Sequence, residues 1–143
     1  MPVLSHGTSR AFATVLAAVP PNPGTIDVTQ GRGEFGRGFY TQTSVGNAFR
    51  RGQLIYGANG AVLVLTIDDQ AYHGLGFKRL NLIGAQRLNA QLRGNNTQHT
   101  YTTAEDVIVG PLVFEPRINQ QKFQSHNAQT LLNGLLTGRT VLP

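Results

Sequence analysis

The run Ala61-Val-Leu-Val-Leu-Thr-Ile67 is nearly continuous in β-forming residues, and it reads as a strand buried on both faces. Val3-Leu4 predicts a short first strand that ends in a polar turn at Ser5-His6-Gly7-Thr8-Ser9. A helix is expected from Ser9 to Val19, with Ser9 as N-cap and Phe12, Val15, Leu16 and Val19 at helical spacing. The run Pro20-Pro-Asn-Pro-Gly24 should stop it. Gly31 to Gly38 reads as a glycine-rich loop, Phe39 to Thr43 as a strand, and Ser44 as the cap of a helix reaching Gly52 with Ala48 and Phe49 inward.

Further along, an amphipathic helix is expected over Leu80 to Leu92, followed by a loop from Arg93 to Thr97. Asp106 to Val109 reads as a strand ended by Gly110-Pro111, with Leu112 to Phe114 as a possible continuation. Gln121 to Phe123 is a candidate last strand, Asn127 to Leu136 a closing helix, and His73 to Phe77 a candidate exposed loop. Strands and helices alternate too irregularly for a doubly wound sheet, so the expectation is one α+β domain over residues 1–143.

Composition narrows the chemistry. Cysteine is absent, which removes disulfides, thiolate nucleophiles and thiolate metal sites. His6, His73, His99 and His126 lack the spacing of metal ligands. No apolar run approaches the roughly 18 residues of a membrane span. Nor does the N-terminus have the form of a signal peptide. Twelve basic residues against seven acidic ones give a net charge of +5, and most are arginine, whose planar fork suits phosphate. Gly31-Arg-Gly-Glu-Phe-Gly36 has dinucleotide-fingerprint spacing, but the strand-like Gly-Phe-Tyr-Thr follows it where that motif must open a helix.

What remains is His6-Gly7-Thr8 after the first strand, Gly36-Arg37-Gly38-Phe39-Tyr40 entering the second, and Glu105 just before Val107-Ile-Val109. In that order these resemble the His-Tyr-Glu ADP-ribosyltransferases, the superfamily of the poly-ADP-ribose polymerases. The resemblance is closer to a bacterial branch of that superfamily. That branch has His-Gly-(Ser/Thr), Phe-Gly-(basic)-Gly-Phe-Tyr, Asp-(Val/Ile)-Val-Ile-Gly-Pro and a Gln-x-x-Phe-x-(Ser/Thr) segment, matched here by Gln120-Gln-Lys-Phe-Gln-Ser125. Between Asn59 and Thr103 it covers little beyond the central strand.

The resemblance implies an ADP-ribosyltransferase-like split β-sheet core with flanking helices, and NAD as substrate. Breaking the nicotinamide–ribose bond builds positive charge on the sugar, as in glycoside hydrolysis, so the site must hold the amide, orient the ribose and supply negative charge. By resemblance His6 bonds the ribose and diphosphate region, Gly7 and Thr8 offer backbone to the carboxamide side, and Tyr40 stacks on nicotinamide beside Gly38. Arg10 and Arg37 are the candidate diphosphate contacts. The polymerases carry a second tyrosine on the next helix; in Val45-Gly-Asn-Ala-Phe-Arg50 the candidate second aromatic is Phe49. Glu105 is the expected third catalytic residue, with Gln121 or Gln120 as alternatives; glutamine there would disfavour polymer formation and still allow a single transfer.

The expected activity is therefore mono-ADP-ribosyl transfer to a macromolecular acceptor, RNA or protein, with the arginine excess favouring nucleic acid. The chain starts almost at its first catalytic strand, which suggests a domain of a larger polypeptide. The resemblance implies a secreted bacterial toxin effector acting in a target-cell cytoplasm, or otherwise a cytoplasmic enzyme, with an immunity protein occluding the site and no membrane association. Competing readings are an NAD glycohydrolase, a 2′-phosphate transferase, and a non-enzymatic basic nucleic-acid-binding module. Against the last, the aromatics are not interleaved with Lys and Arg along the chain.

Overall fold

The computed structural model describes residues 2–18 and 25–142. In chain order the first elements are β1 (Val3–Ser9), α1 (Arg10–Leu16), β2 (Arg32–Gly33), β3 (Gly36–Arg37), β4 (Phe39–Gln42) and α2 (Val45–Tyr56). There follow β5 (Gly60–Ile67), α3 (Asp69–His73), β6 (Phe77–Arg79), α4 (Leu82–Asn95), β7 (Val107–Pro111), β8 (Asn119–Phe123), α5 (His126–Leu132) and β9 (Thr137–Leu142). The chain is α+β, and it forms two compact units that alternate along the sequence. Met1–Ile26, Thr41–Tyr72 and Leu131–Pro143 make the first; Asp27–Tyr40 and His73–Thr130 make the second.

In the first unit β5 is flanked on both sides. It pairs antiparallel with β1 from Val3↔Thr66 to Ser9↔Gly60, and with β9 from Val62↔Leu142 to Ile67↔Thr137. Ala61, Val62, Leu63, Leu65 and Ile67 are completely buried, as the apolar run requires. The expected turn at Ser5 is absent, because the backbone of Ser5–Ser9 stays in the ladder to β5 and the polar side chains ride on a regular strand. The expected closing helix to Leu136 stops early as α5 at Leu132, leaving Leu135 and Leu136 exposed, and β9 follows as a strand that was not expected. Arg139 of β9 donates to the Leu16 carbonyl at 2.7 Å and the Leu132 carbonyl at 3.1 Å, the last residues of α1 and α5. A cation there satisfies orphan carbonyls at two helix C-termini.

α1 begins as expected, with the Ser9 hydroxyl accepting from the Phe12 N–H. Its core face is Ala13 and Leu16; Phe12 and Val15 are exposed instead of inward. Val19 and the Pro20–Gly24 run lie outside the described residues. α2 is capped by Ser44, and it continues through Gly52 to Tyr56. It lies directly on β1: a Cβ at Gly7 would collide with the Ala48 carbonyl and stand 3.0 Å from the Gly52 nitrogen.

In the second unit β7 pairs parallel with β6 and antiparallel with β8, the latter from Val107↔Phe123 to Pro111↔Asn119. The expected exposed loop from His73 to Phe77 is shorter, since His73 ends α3 and β6 begins at Phe77. Leu112 does not prolong β7, because its N–H turns back to the Ile118 carbonyl. α4 is capped by Asn81 and runs past the expected stop at Leu92, ending where Asn96 adopts φ 53°, a left-handed conformation asparagine tolerates. Its Ala85, Leu88 and Leu92 pack with Phe35 and Ile108 as the core. The expected glycine-rich loop is a two-stranded hairpin, with Arg32 opposite Arg37 and Gly33 opposite Gly36.

Gly7→Ala is expected to lower stability by about 1–3 kcal/mol through overpacking against backbone that cannot yield, read as a fall in the urea midpoint at unchanged slope.

Candidate functional site

The residues that carry the resemblance divide between the units. His6, Gly7, Thr8, Arg10 and Phe49 lie in the first; Arg37, Gly38, Tyr40, Glu105 and Gln121 lie in the second. On β1, His6 is half-buried opposite Leu63, and Thr8 is buried opposite Ala61. Strand alternation sends His6 to the face away from the one Gly7 presents to α2. The need for glycine at position 7 is thus explained by helix packing alone. Arg10 is exposed at the start of α1, and Phe49 is half-buried beside Ala48.

In the second unit the geometry is organised by three consecutive residues, Glu34, Phe35 and Gly36. Phe35 is completely buried, and Gly36 turns the hairpin with φ 95°. Tyr40 reaches back from β4: its hydroxyl accepts from the Phe35 N–H at 2.9 Å and donates to the Gly36 carbonyl at 2.6 Å. The ring lies on Gly33, where a Cβ would be 2.7 Å from Tyr40 Cζ. The Gly-Arg-Gly-Phe-Tyr motif is therefore a hairpin latched by its own tyrosine.

β8, which lies between β7 and β4, reaches the same segment from alternate positions. Gln120 Nε2 donates to Glu34 Oε1 at 3.1 Å, and Lys122 Nζ donates to the Phe35 carbonyl at 2.8 Å and the Tyr101 carbonyl at 3.4 Å. Gln124 follows, its amide donating to Thr103 Oγ1 at 2.6 Å and to the Glu105 carbonyl at 2.8 Å. Glu34 Oε1 also accepts from the Val113 N–H at 2.8 Å. A carboxylate only accepts, so Glu34 fixes the Gln120 amide with its NH₂ toward Glu34 and its carbonyl oxygen turned away.

This arrangement separates the candidates for the third position. Gln120 shares the face on which Tyr40 and Lys122 meet Glu34–Gly36. Gln121 is buried too, but alternation sends it to the opposite face with Phe123. Glu105 is half-buried ahead of β7, one strand beyond β8 from Tyr40. Val109 is the rung of Gln121, and Glu105 lies in the bend that precedes β7. Arg37 is half-buried near Lys122, and its N–H donates to the Tyr101 carbonyl.

Glu34 and Lys122 are the participants the sequence reading passed over. The available signal was the period-two series of long polar side chains at 120, 122 and 124 between Ile118 and the closing helix, which suits a strand whose polar face is covered. Burial, and secondarily the Arg37 charge, pull the Lys122 pKa down to about 7. Among the described residues no group of three or more His, Asp and Glu side chains could hold a metal ion, and no helix is long and apolar enough to cross a membrane. No family model matches the chain, and no curated protein matches it.

Between pH 7 and the ordinary lysine value of 10.5, the unfolded chain binds a proton at Lys122 that the folded chain has shed. This group therefore makes stability rise with pH across that window by at most about 1.4 kcal/mol per pH unit, and contributes no slope below it. Urea melts from pH 6 to 10 should show this increment in the wild type and not in Lys122→Met. Tyr40→Phe should cost about 1–3 kcal/mol in the same assay, because it strands the Phe35 N–H.

Proposed function

We propose that this chain is a mono-ADP-ribosyltransferase that cleaves NAD⁺ and passes one ADP-ribose to a macromolecular acceptor, and that its α+β architecture is of the ADP-ribosyltransferase type. The observation that carries the reading is the convergence of Tyr40, Gln120 and Glu34 on one hairpin, within the motif that most closely resembles that superfamily. Tyr40 supplies the flat ring for nicotinamide, and its hydroxyl is committed to the hairpin, so the ring is held in a fixed pose.

For the third position the geometry favours Gln120. Its oriented carbonyl oxygen accepts from the ribose 2′-hydroxyl, while Glu34 acts as a positioning residue and contributes negative charge as the sugar becomes cationic. A neutral amide stabilises that cation less than a carboxylate would. It suits a single transfer and disfavours chain extension.

The test follows free nicotinamide after mixing the protein with NAD⁺, with total RNA or total protein present or absent. Release should depend on an added acceptor. Gln120→Ala should lower the rate on the order of 10²-fold, while Gln121→Ala and Glu105→Ala stay within a few-fold of wild type. Collapse in Glu105→Ala alone would return the third position to that residue. Release without any acceptor would make the chain an NAD⁺ hydrolase, and neither release nor NAD⁺ binding would remove the superfamily reading altogether.

A further inference from the structure

The second unit contains an open cleft of about 360 Å³, lined by Arg32, Arg93, Asn96, Gln98, His99 and Phe114 among others. These come from separate stretches of chain: the hairpin, the last turn of α4, the turn after it, and the connection between β7 and β8. Arg32 donates to the His99 ring, and Arg93 is exposed at the helix end. Among the described residues neither guanidinium is paired with a carboxylate. Two of the last four α4 carbonyls, Leu92 and Arg93, are turned to the Thr97 and Asn96 N–H groups. Phe114 lines this cleft 72% exposed, so its ring is open to a flat ligand.

We propose that this cleft binds single-stranded nucleic acid, with Arg32 and Arg93 on successive phosphates and an unstacked base lying on Phe114. Guanidinium forks match phosphate oxygens, and the carboxamides of Asn96 and Gln98 each offer a donor and an acceptor to a base edge. A single strand is required, because in a duplex the bases are stacked on one another and cannot reach the Phe114 ring. As a binding site it is independent of the transferase reading. That the bound strand is the acceptor for ADP-ribose rests on that reading.

The experiment is fluorescence anisotropy with a labelled mixed-sequence 12-mer, as single-stranded RNA, single-stranded DNA and RNA duplex, titrated with the full chain at several salt concentrations. All three side chains to be changed are solvent-exposed, and thermal melts confirm that the variants fold. Binding of either single strand is expected to weaken by about 5- to 150-fold in Phe114→Ala, the range for loss of one stacked base. In Arg32→Ala/Arg93→Ala the slope of log K against log salt should shrink by about 1.4, two phosphates' worth for a single strand. Several outcomes would overturn the proposal: no binding, affinity unchanged by both variants, duplex bound as tightly as single strand and indifferent to Phe114→Ala, or displacement of the strand by NAD⁺ at its own binding concentration. Because this readout involves no catalysis, binding with no nicotinamide release would sink the transferase reading alone, and release with no strand binding would sink the cleft alone.

Discussion

A lysine amine completely buried, with no carboxylate paired to it among the described residues, is a costly thing to place in a protein, and the second unit is arranged around one. Lys122 is completely buried, and its proton donors end on two main-chain carbonyls, Phe35 and Tyr101. Those carbonyls belong to the hairpin and to the segment leading into β7, so one side chain ties both to β8. Gln120 and Gln124 extend the same device one step each way along the strand. The Tyr101 ring, 5.7 Å from the ammonium, adds a cation–π contact. Because desolvation disfavours the charge, these contacts hold the hairpin at the expense of proton affinity.

That device explains how the sequence could announce a motif and conceal its workings. The central strand, the caps at Ser9 and Ser44, and the α+β class follow from local rules, since apolar runs and short polar caps act within a few residues. β9 was not legible in this way. Thr137-Gly-Arg-Thr-Val-Leu142 has little strand pattern of its own, and it becomes a strand because β5 offers it a free edge. The hairpin at 32–37 was hidden for a similar reason: four glycines suggest a loop until Tyr40 and Lys122 are seen to hold it.

The candidate site shows the same division. The Gly-Arg-Gly-Phe-Tyr segment could be read directly, because its glycines and aromatics are adjacent in sequence. The third position could not, since Glu105, Gln120 and Gln121 differ by strand and by face, and face depends on register. Glu34 was unreadable altogether: its role is to orient an amide that is 86 residues away along the chain.

The alternation of the two units along the chain has a consequence for how the protein is made. The polypeptide passes from one unit to the other at residues 27, 41, 73 and 131, so no single cut separates them as continuous pieces. β5 is made early, with β1 already available at one edge, yet its other edge waits for residues beyond 136. Until that segment arrives, a strand rich in Ala, Val, Leu and Ile has an unpaired edge, the kind of surface that recruits other chains. Synthesis of this protein thus includes an interval in which its most apolar strand is half-sheltered, and the length of that interval is set mainly by the larger segment of the second unit, His73–Thr130, lying in between.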